Sequence, residues 1–569
     1  MMRRKRILFG LFLAAMASTA PANAAPDDPY LVYVANRQVA KGQSQWPVIL
    51  RAESTTGALT ELSRNGRHGN LFVHPYDLAV ERDGSLIVAD MGQFASDDPT
   101  PDGAIVRVDP SNGMQSLVSR GGALVDPAGV AVAPDGALYV LENVGVGGLR
   151  GVIRIDPVTG TQSVVAQGGE LCNPFGIAFE PGGDLVVADY GTLVLNNRPI
   201  VECPRATGSL VRVERSTGRQ TVLAEGNLLR SPFGVAIDPG GRILVANEGV
   251  NATAAVVAVD PVTGRQSVVA SNTGGDVFRL PERVAVAPDG RLLVTDFELA
   301  DRFGGIVRVA PEDGAQTPGW EGELFNNPLG LAVVVNRPPT ATLTASPATV
   351  AGGQPVRFDA SGSTDPEGLA LRYDWDLDGD GAFERRTLAP AVSLLYADSR
   401  ALTAHVRVSD PHRATATASA PLTVDATPPQ LGAFGASART LLGRKPSRRK
   451  RAGSAAARPR RTTTFRYGLS EPAAVAIRIE RTLPGRRVRG SCRAPGRRKV
   501  PRRARCTRLR QTVVLRRQAV AGANVLRFAC RVRGRRLVPG HYRATADAVD
   551  VVGNRSQPKT IRLRVVSPR

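Results

Sequence analysis

The chain has 569 residues, of which 42% are hydrophobic, and a formal net charge of +22. This length exceeds what one hydrophobic core usually serves, and the hydrophobic fraction excludes a chain that is disordered throughout. The charge is unevenly distributed, because residues 431–569 contain 38 Lys and Arg against four acidic residues and so carry +34, which leaves −12 for the remainder. We therefore expect several domains, with an acidic body and a basic C-terminal part.

The first 24 residues have the pattern of a secretory signal peptide. Four basic residues at positions 3–6 precede an apolar run over residues 7–17, and Ala22 and Ala24 offer a cleavage site before Ala25. The apolar run is too short to span a bilayer, and no other stretch approaches ~18 apolar residues. The sequence therefore predicts a secreted or extracellular protein without a transmembrane segment, with cell-wall association as a further expectation.

Near-copies of a proline-led strand recur through the next three hundred residues. They begin at Pro75, Pro127, Pro174, Pro232, Pro281 and Pro328, at intervals of 47 to 58 residues. All but the last are followed by a glycine-containing turn and a second apolar strand, as in PAGVAVAPDGALYV from Pro127. This period is the length of one four-stranded propeller blade. We predict a six-bladed β-propeller over residues 25–337.

The two ends of this region determine the blade count. LVYVAN, from Leu31, matches the second strand of a repeat with no proline-led strand before it, whereas PLGLAVVV, from Pro328, is a proline-led strand with nothing after it. The strand missing at one end equals the surplus strand at the other. We therefore predict a composite closing blade, which would also remove an open sheet edge.

The repeat PxGVAVxPDGxLxVAD, followed by G-x-I-x-R-V-D-P, resembles NHL-type propellers and the gluconolactonase family over roughly residues 31–335. The resemblance implies a divalent metal in the central channel, held by Asn or Asp after the repeat prolines and by a Glu from an early blade. Those positions are here Tyr76, Ala128, Phe175, Phe233, Glu282 and Leu329. Only Glu282 can bind a metal, and hard cations need several oxygen ligands. We interpret the aromatic residues as a channel wall or as core packing.

A second ring of polar residues closes the second strand of each blade. Its members are Asn36, Asp90, Glu142, Asp189, Asn247 and Asp296. One interpretation is a metal site formed by Asp90, Glu142, Asp189 and Asp296. The alternative, which we favour, is that each side chain binds backbone amides of its own loop. His74 has no second base nearby in the sequence, so no catalytic residue is predicted.

Residues 338–429 have the size of an immunoglobulin-like sandwich. FDASGSTDPEG, from Phe358, and YDWDLDGDGAFE, from Tyr373, resemble a PKD domain with Trp375 as its core aromatic residue. Asp376, Asp378 and Asp380 begin like an EF-hand calcium loop, but Thr387 stands where the bidentate glutamate would fall. A weaker calcium site and a solvated hairpin turn remain as alternatives; no other cofactor is expected.

The C-terminal part is predicted to be a basic disordered linker, residues 430–462, followed by a domain over residues 463–569. The linker is predicted because its like charges cannot pack together. The domain resembles fibronectin-type-III-like modules of actinobacterial surface proteins. Its positive charge has two interpretations: it binds anionic envelope polymers, or it is solvated and has no dedicated partner. We favour the first. Specific nucleic-acid binding is not expected, because stacking aromatic residues are few.

Five cysteines fit an oxidising compartment. Cys172 and Cys203 flank one blade segment, and Cys492 and Cys506 lie 14 residues apart in the basic domain. We predict disulfide bonds within these two pairs. Cys530 is left as a buried apolar residue or a free thiol.

Taken together, these features predict an all-β protein with a six-bladed propeller and two immunoglobulin-like β-sandwich domains. We interpret it as a monomeric, non-catalytic binding or scaffold protein of the cell envelope. The propeller would present its channel mouth to a polysaccharide or a surface protein, and the basic domain would attach to the envelope. The alternative is a metal-dependent lactonase-like hydrolase, which would need Asp90, Glu142, Asp189 and Asp296 to converge on one cation.

Overall fold

The structure is a computed structural model that describes residues 28–37, 47–92, 102–143, 150–195, 198–201, 203, 207–248, 254–272, 277–299, 304–322, 324–443, 460–495, 505–532 and 534–567. The predicted signal peptide lies outside the described residues, as do residues 444–459 of the predicted linker. The described chain is all-β, as predicted. It divides into two compact units. The first comprises the described residues up to Ala341 with Ser363–Tyr373 and Arg407–Ala416, and the second comprises Thr342–Gly362, Asp374–Val406 and the residues from Thr417 onward.

The propeller is built from short antiparallel strands. In chain order these are β1 Tyr30–Asn36, β2 Val48–Glu53, β3 Leu59–Arg64, β4 Pro75–Val80, β5 Leu86–Asp90, β6 Ala104–Val108, β7 Gln115–Arg120, β8 Pro127–Val132, β9 Leu138–Glu142, β10 Gly151–Ile155, β11 Gln162–Gln167, β12 Pro174–Phe179, β13 Leu185–Asp189, β14 Leu193–Leu195, β15 Arg198–Val201, β16 Ser209–Val213, β17 Gln220–Glu225, β18 Pro232–Ile237, β19 Ile243–Asn247, β20 Ala255–Val259, β21 Gln266–Ser271, β22 Pro281–Val286, β23 Leu292–Asp296, β24 Gly305–Val309, β25 Gln316–Glu321 and β26 Pro328–Val335. The hairpin β14–β15 is an insertion between β13 and β16.

Six four-stranded sheets form the blades of the described propeller, and each begins with a proline-led strand. Five are continuous in sequence apart from the insertion, as in β4-β5-β6-β7. The sixth has the order β26-β1-β2-β3, with Val333 of β26 opposite Val32 of β1. The prediction of a composite closing blade is confirmed. The proline-led strands of neighbouring blades pack against each other around the centre.

The middle strands of the blades are apolar on both faces because each blade is covered by two neighbours. In β5, Leu86 and Val88 pack in the cluster shared with the composite blade, whereas Ile87 and Ala89 pack in the cluster shared with the next blade. Alternate side chains of a strand point to opposite faces, so a strand covered on both sides reads as a continuous apolar run. This explains the repeated Leu-x-Val pattern of the sequence.

The PKD region forms two sheets. Its strands are β27 Thr344–Ser346, β28 Thr349–Ala351, β29 Pro355–Asp359, β30 Arg372–Asp376, β31 Arg385–Thr387, β32 Ala391–Leu395, β33 Arg400–Ser409 and β34 Thr415–Asp425. One sheet has the order β27-β29-β32 and the other β28-β34-β33-β30-β31. Trp375 is fully buried, and its Nε1 donates a hydrogen bond to Thr387 Oγ1 at 2.8 Å. Trp375 is thus a core residue, as predicted.

The C-terminal region also forms two main sheets. Its strands are β35 Gly435–Ala436, β36 Thr440–Leu442, β37 Thr463–Leu469, β38 Ala473–Val488, β39 Ser491–Arg493, β40 Arg505–Ala519, β41 Gly522–Phe528, β42 Arg531–Val532, β43 Arg535–Arg536, β44 Gly540–Val549 and β45 Lys559–Val566. One sheet is β35-β37-β41, and the other is β36-β45-β44-β38 with β39 and β40 both paired to β38.

Strands β35 and β36 lie inside the segment 430–462 that the sequence predicts as a linker. Leu441 of β36 is fully buried in the C-terminal core, where β36 pairs in parallel with β45. The prediction rested on the basic, low-complexity residues further along, which lie outside the described chain. The short apolar runs before them belong to the folded domain, because burying Leu441 completes its core.

Two disulfide bonds are present, between Cys172 and Cys203 and between Cys492 and Cys506. Cys530 is free and buried, and burial raises the pKa of its thiol to about 11. The first bond links the insertion, through Cys203, to the loop before β12. The second joins β39 to β40 at the end of a long hairpin.

Candidate functional site at the channel mouth

The side chains that follow the repeat prolines gather at the centre of the propeller in one apolar cluster. Phe175 and Phe233 stack with their ring centroids 4.4 Å apart, and the Tyr76 ring lies 5.9 Å from that of Phe175. Ala128 and Leu329 pack in the same cluster and are buried. Mutually packed rings therefore occupy three of the six positions at which the family resemblance would place metal ligands.

Two carboxyl groups border this cluster. The Glu282 side chain is only 5% exposed and lies beside that of Glu248, which raises its pKa. The Tyr190 hydroxyl donates a hydrogen bond to Glu248 Oε2 at 3.1 Å, and the Tyr190 ring meets that of Phe233 edge-on with centroids 6.0 Å apart. Glu282 Oε2 is buried and has no hydrogen-bond partner in the described part of the chain. We call Glu248 and Glu282 the carboxyl pair.

The pKa values of the carboxyl pair are raised. Burial raises the pKa of Glu282 well above its usual value, and the neighbouring Glu248 raises it further, since two adjacent carboxylates repel each other. Burial also raises the pKa of Glu248. Both shifts disfavour the state in which the two carboxyl groups are ionised together. Burial raises the pKa of Tyr190 to about 12, which keeps its hydroxyl a donor.

Arg283 follows Glu282 on β22 and lies at the centre of the propeller. Its side chain is buried, and its Nε lies 3.3 Å from Asp77 Oδ1 on the first full blade. Its Nη2 donates hydrogen bonds to the backbone oxygens of Ala128, at 3.0 Å, and Phe175, at 3.2 Å. The guanidinium lies over the Phe233 ring, 5.4 Å from its centroid. One arginine therefore joins strands from four blades.

The other four blades have glycine at this position. These residues are Gly129, Gly176, Gly234 and Gly330. A Cβ added to Gly234 would lie 2.5 Å from the backbone oxygen of Glu282 and 2.9 Å from Cδ of Arg283, so glycine permits this close approach. Sequence reasoning missed Asp77 and Arg283. The signal was available, because the third residue of the repeat is glycine in four copies and oppositely charged in the other two.

The predicted polar ring lies at the ends of the second blade strands, where each member accepts backbone amides just before the repeat proline. The donors are Val73 and His74 for Asp90, Val125 and Asp126 for Glu142, Cys172 and Asn173 for Asp189, Arg230 and Ser231 for Asn247, Arg279 and Leu280 for Asp296, and Asn326 for Asn36. Within the described chain, the four ring carboxylates belong to no group of three whose ligand atoms lie within 4.8 Å of one another. The metal site on this ring stays a prediction.

His74 is held in the same loop. Its Nδ1 lies 2.6 Å from the backbone oxygen of Gly92, and burial lowers its pKa. The ring therefore takes part in the loop contacts that surround Asp90.

The acidic loop of the PKD region brings four carboxylates together. Asp376, Asp378, Asp380 and Glu384 each offer an oxygen within 4.8 Å of the others. Asp376 is buried and accepts hydrogen bonds from the amides of Gly379 at 2.7 Å and Gly381 at 3.0 Å. Glu384, which the sequence analysis did not select, lies on the same loop. Calcium binding by this loop stays a prediction.

Comparison with known proteins identifies one family within the chain. Residues 336–424 match the PKD domain. No curated protein is similar in sequence to the chain. The PKD domain and the two disulfide bonds fit an extracellular protein. Among the described residues, none forms a helix with the length and apolar character needed to cross a membrane.

Solved structures with a similar fold match about half of the chain. One is the nidogen/laminin complex, at 15% identity over 54% of this chain and 98% of that chain, with a TM-score of 0.40. Another is the periplasmic gluconolactonase of Pseudomonas aeruginosa, at 17% identity over 54% of this chain and 99% of that chain, with a TM-score of 0.38. At this level of similarity they carry no conclusion about activity.

Proposed function

We propose that this is an exported, non-catalytic binding protein whose propeller takes a ligand at the channel mouth and whose basic C-terminal domain attaches it to anionic envelope polymers. The observation that carries the proposal is the composition of the channel mouth. Packed aromatic rings and a carboxyl pair occupy it, whereas three converging oxygen ligands for a metal are absent from its described residues.

The chemistry of the mouth selects a ligand that carries an ammonium group. Glu282 Oε2 has no donor among the described residues, and the carboxyl group of Glu248 lies beside it, so a cation that donates hydrogen bonds would complete the pair. Phe175 and Tyr190 are only partly buried, and their ring faces attract a cation through the ring quadrupole. The ligand would be a small organic amine or an amine displayed on a polysaccharide or a surface protein.

Attachment to the envelope is assigned to a basic ribbon of the C-terminal domain. Beyond Arg481, β38 pairs with β39 and β40 and no longer with β44 within the described residues. This ribbon carries the exposed arginines Arg486, Arg487, Arg489, Arg493 and Arg510, and the Cys492–Cys506 bond closes its end. A row of guanidinium groups attracts anionic polymers over about one Debye length, about 8 Å in physiological salt.

The alternative, a metal-dependent lactonase-like hydrolase, would place the cation on Asp90, Glu142, Asp189 and Asp296. Those oxygens accept backbone amides of their own loops, so the loops would have to open before the four groups could share one ion.

Isothermal titration of the full chain with n-butylammonium, in two buffers of different ionisation enthalpy, tests the ligand class. We expect a Kd on the order of 1 mM, as suits a ligand of five non-hydrogen atoms. Binding should release protons, because a cation favours the ionised carboxyl pair, and affinity should therefore rise with pH. Neutral n-butanol, of the same shape, should bind at least ten-fold more weakly.

The Glu282→Gln variant should lose both the affinity and the proton release while keeping its melting temperature, since a neutral amide replaces a buried carboxyl. The matched control is Glu321→Gln, which neutralises an exposed carboxylate on the outer strand β25. Equal binding of n-butanol, or an unchanged titration of Glu282→Gln, would exclude an ammonium site. Metal-dependent hydrolysis of D-glucono-δ-lactone by the wild type, lost in Asp90→Asn, would instead establish the hydrolase.

A further inference from the structure

We infer a calcium site where the last strand of the PKD region meets the C-terminal domain. Asp425, Glu471 and Asp550 each offer a carboxylate oxygen within 4.8 Å of the other two. Asp425 ends β34, Glu471 lies between β37 and β38, and Asp550 directly follows β44. All three belong to the second compact unit. Three separate parts of the chain therefore bring their negative charges to one point.

One carboxylate oxygen of Asp550 has no partner among the described residues. Its side chain is only 8% exposed, and its Oδ1 accepts hydrogen bonds from the amides of Gly553 at 2.6 Å and Asn554 at 2.9 Å. Its Oδ2 is buried and has no donor in the described structure. A buried carboxylate oxygen without a donor or a cation is unfavourable, so a bound ion would satisfy an otherwise unmet requirement.

The C-terminal region is rich in basic residues, so a carboxylate there would be expected to find an arginine or lysine partner. Residues 431–569 hold 38 basic residues and four acidic ones. Two of those acids are paired, Glu480 with Arg543 and Asp547 with Arg478. The other two, Glu471 and Asp550, converge instead on Asp425, and no arginine or lysine of the described residues forms an ion pair with the three. In the described part of this arginine-rich domain, the three carboxylates are therefore left open to an external cation.

The ligand chemistry selects calcium. The donors are carboxylate oxygens of hard character, without the nitrogen or sulfur ligands that zinc and copper prefer. The backbone oxygen of Asp425 accepts a hydrogen bond from Asn554 Nδ2 at 2.7 Å, so the loop that carries Asp550 is joined directly to the end of β34. Calcium takes about six to eight oxygens in flexible geometry, so carboxylates, carbonyls and water suffice. We expect a Kd on the order of 10⁻⁴–10⁻³ M, typical of extracellular modules.

Equilibrium dialysis of the full chain against radioactive calcium tests the site. Glu471→Gln and Asp425→Asn should each bind one calcium ion fewer per chain than the wild type at saturation. The matched control is Asp378→Asn, which removes an exposed carboxylate of the separate acidic loop in the PKD region and should leave this ion in place. The difference between the variants thus distinguishes the two acidic groups even if both bind calcium.

Melting temperatures show whether a variant that loses calcium is still folded. In chelator, Glu471→Gln should melt about 2 °C or more above the wild type, because it relieves repulsion, whereas in 10 mM calcium the order should reverse. Loss of one calcium ion by a variant that melts no lower than the wild type in chelator supports the site. Full calcium stoichiometry in both Glu471→Gln and Asp425→Asn overturns it.

Discussion

Arg283 pairs with Asp77 at the centre of the propeller, with Arg283 Nε 3.3 Å from Asp77 Oδ1 and both side chains less than 10% exposed. The two residues occupy the repeat position that is glycine in the other four blades. The pair therefore fills the space that four glycines leave.

Replacing Arg283 with Met should destabilise the propeller by about 3–5 kcal/mol, because Asp77 would remain as a buried charge without a partner. Burial already raises the pKa of Asp77, and Arg283 is the main opposing influence. The loss should therefore be smaller at acidic pH, where Asp77 can take a proton. Calorimetric melting of the wild type, Arg283→Met, Asp77→Asn and the double variant gives the coupling free energy between the two side chains. Strictly additive single losses would show that the pair does not interact.

The propeller was predictable from sequence because its repeat is local. Each proline-led strand, its turn and its apolar second strand lie within one stretch of about fifty residues, so alternation and turn residues reveal them together. The closing contact of β26 with β1 followed from counting strands. In the same way, the position of Trp375 followed from the PKD-like motif around it.

The sites were less predictable because their members come from separate elements of the chain. Glu282 was recognised as a polar exception among the channel residues, but Glu248 lies in another blade and belongs to no motif. Likewise, Asp425, Glu471 and Asp550 come from three distant loops. A repeat pattern assigns residues to equivalent positions, but it does not show which positions of different blades touch.

The polar ring provides an internal control for Asp90. Asn247 makes the same two backbone contacts in another blade, so at pH 4, where Asp90 is uncharged like the amide, Asp90→Asn should change the free energy of unfolding by less than about 1 kcal/mol. Asp90→Ala should cost about 3 kcal/mol, because it leaves the buried amides of Val73, His74 and Gly92 without an acceptor. Chemical unfolding of the two variants measures the difference.

The pH dependence of the same variants provides a second test. Burial raises the pKa of Asp90 from 3.8 to about 6, against the opposing effect of its backbone hydrogen bonds. Because the folded pKa is raised, this group contributes stability below pH 4 that is lost as the pH rises through 6. Asp90→Asn should lack that component, so its stability relative to the wild type should improve between pH 4 and pH 7. A metal on this ring would produce the opposite result, with Asp90→Asn losing a metal-dependent stabilisation.

His412 should make the first compact unit sensitive to acid. Its ring is almost completely buried, with Nδ1 2.8 Å from the Tyr33 hydroxyl, and burial lowers its pKa to about 4, assisted by Arg51 and opposed by Asp83. Because the folded pKa is lowered, the neutral ring contributes stability above pH 6.5, and that stability is lost as the pH falls towards 4. The full effect is about 3 kcal/mol.

His412→Asn isolates this contribution, since an amide oxygen can replace Nδ1 as the acceptor without titrating. The nearby Asp410, whose pKa burial raises to about 7, opposes the trend in every variant and cancels in the comparison. Melting temperatures at pH 7.5, 5.5 and 4.5 should fall less steeply for His412→Asn than for the wild type. Tyr33→Phe, which keeps the imidazole, should retain the wild-type slope. Parallel slopes for the wild type and His412→Asn would contradict a buried neutral histidine.

The basic ribbon should account for most of the affinity for anionic polymers. Changing Arg486, Arg487, Arg489 and Arg493 to Gln should raise the Kd for fluorescent polyphosphate at least ~10-fold at low salt, since each arginine near an anionic surface contributes about 1 kcal/mol. The matched control changes four exposed arginines elsewhere in the domain, Arg439, Arg527, Arg562 and Arg564, and removes the same charge. Fluorescence polarisation of the full chain at 50 and 500 mM NaCl compares them, and the difference should vanish at the higher salt. Equal losses in both variants would assign binding to the net charge of the domain, whereas a larger loss in the ribbon variant assigns it to the ribbon.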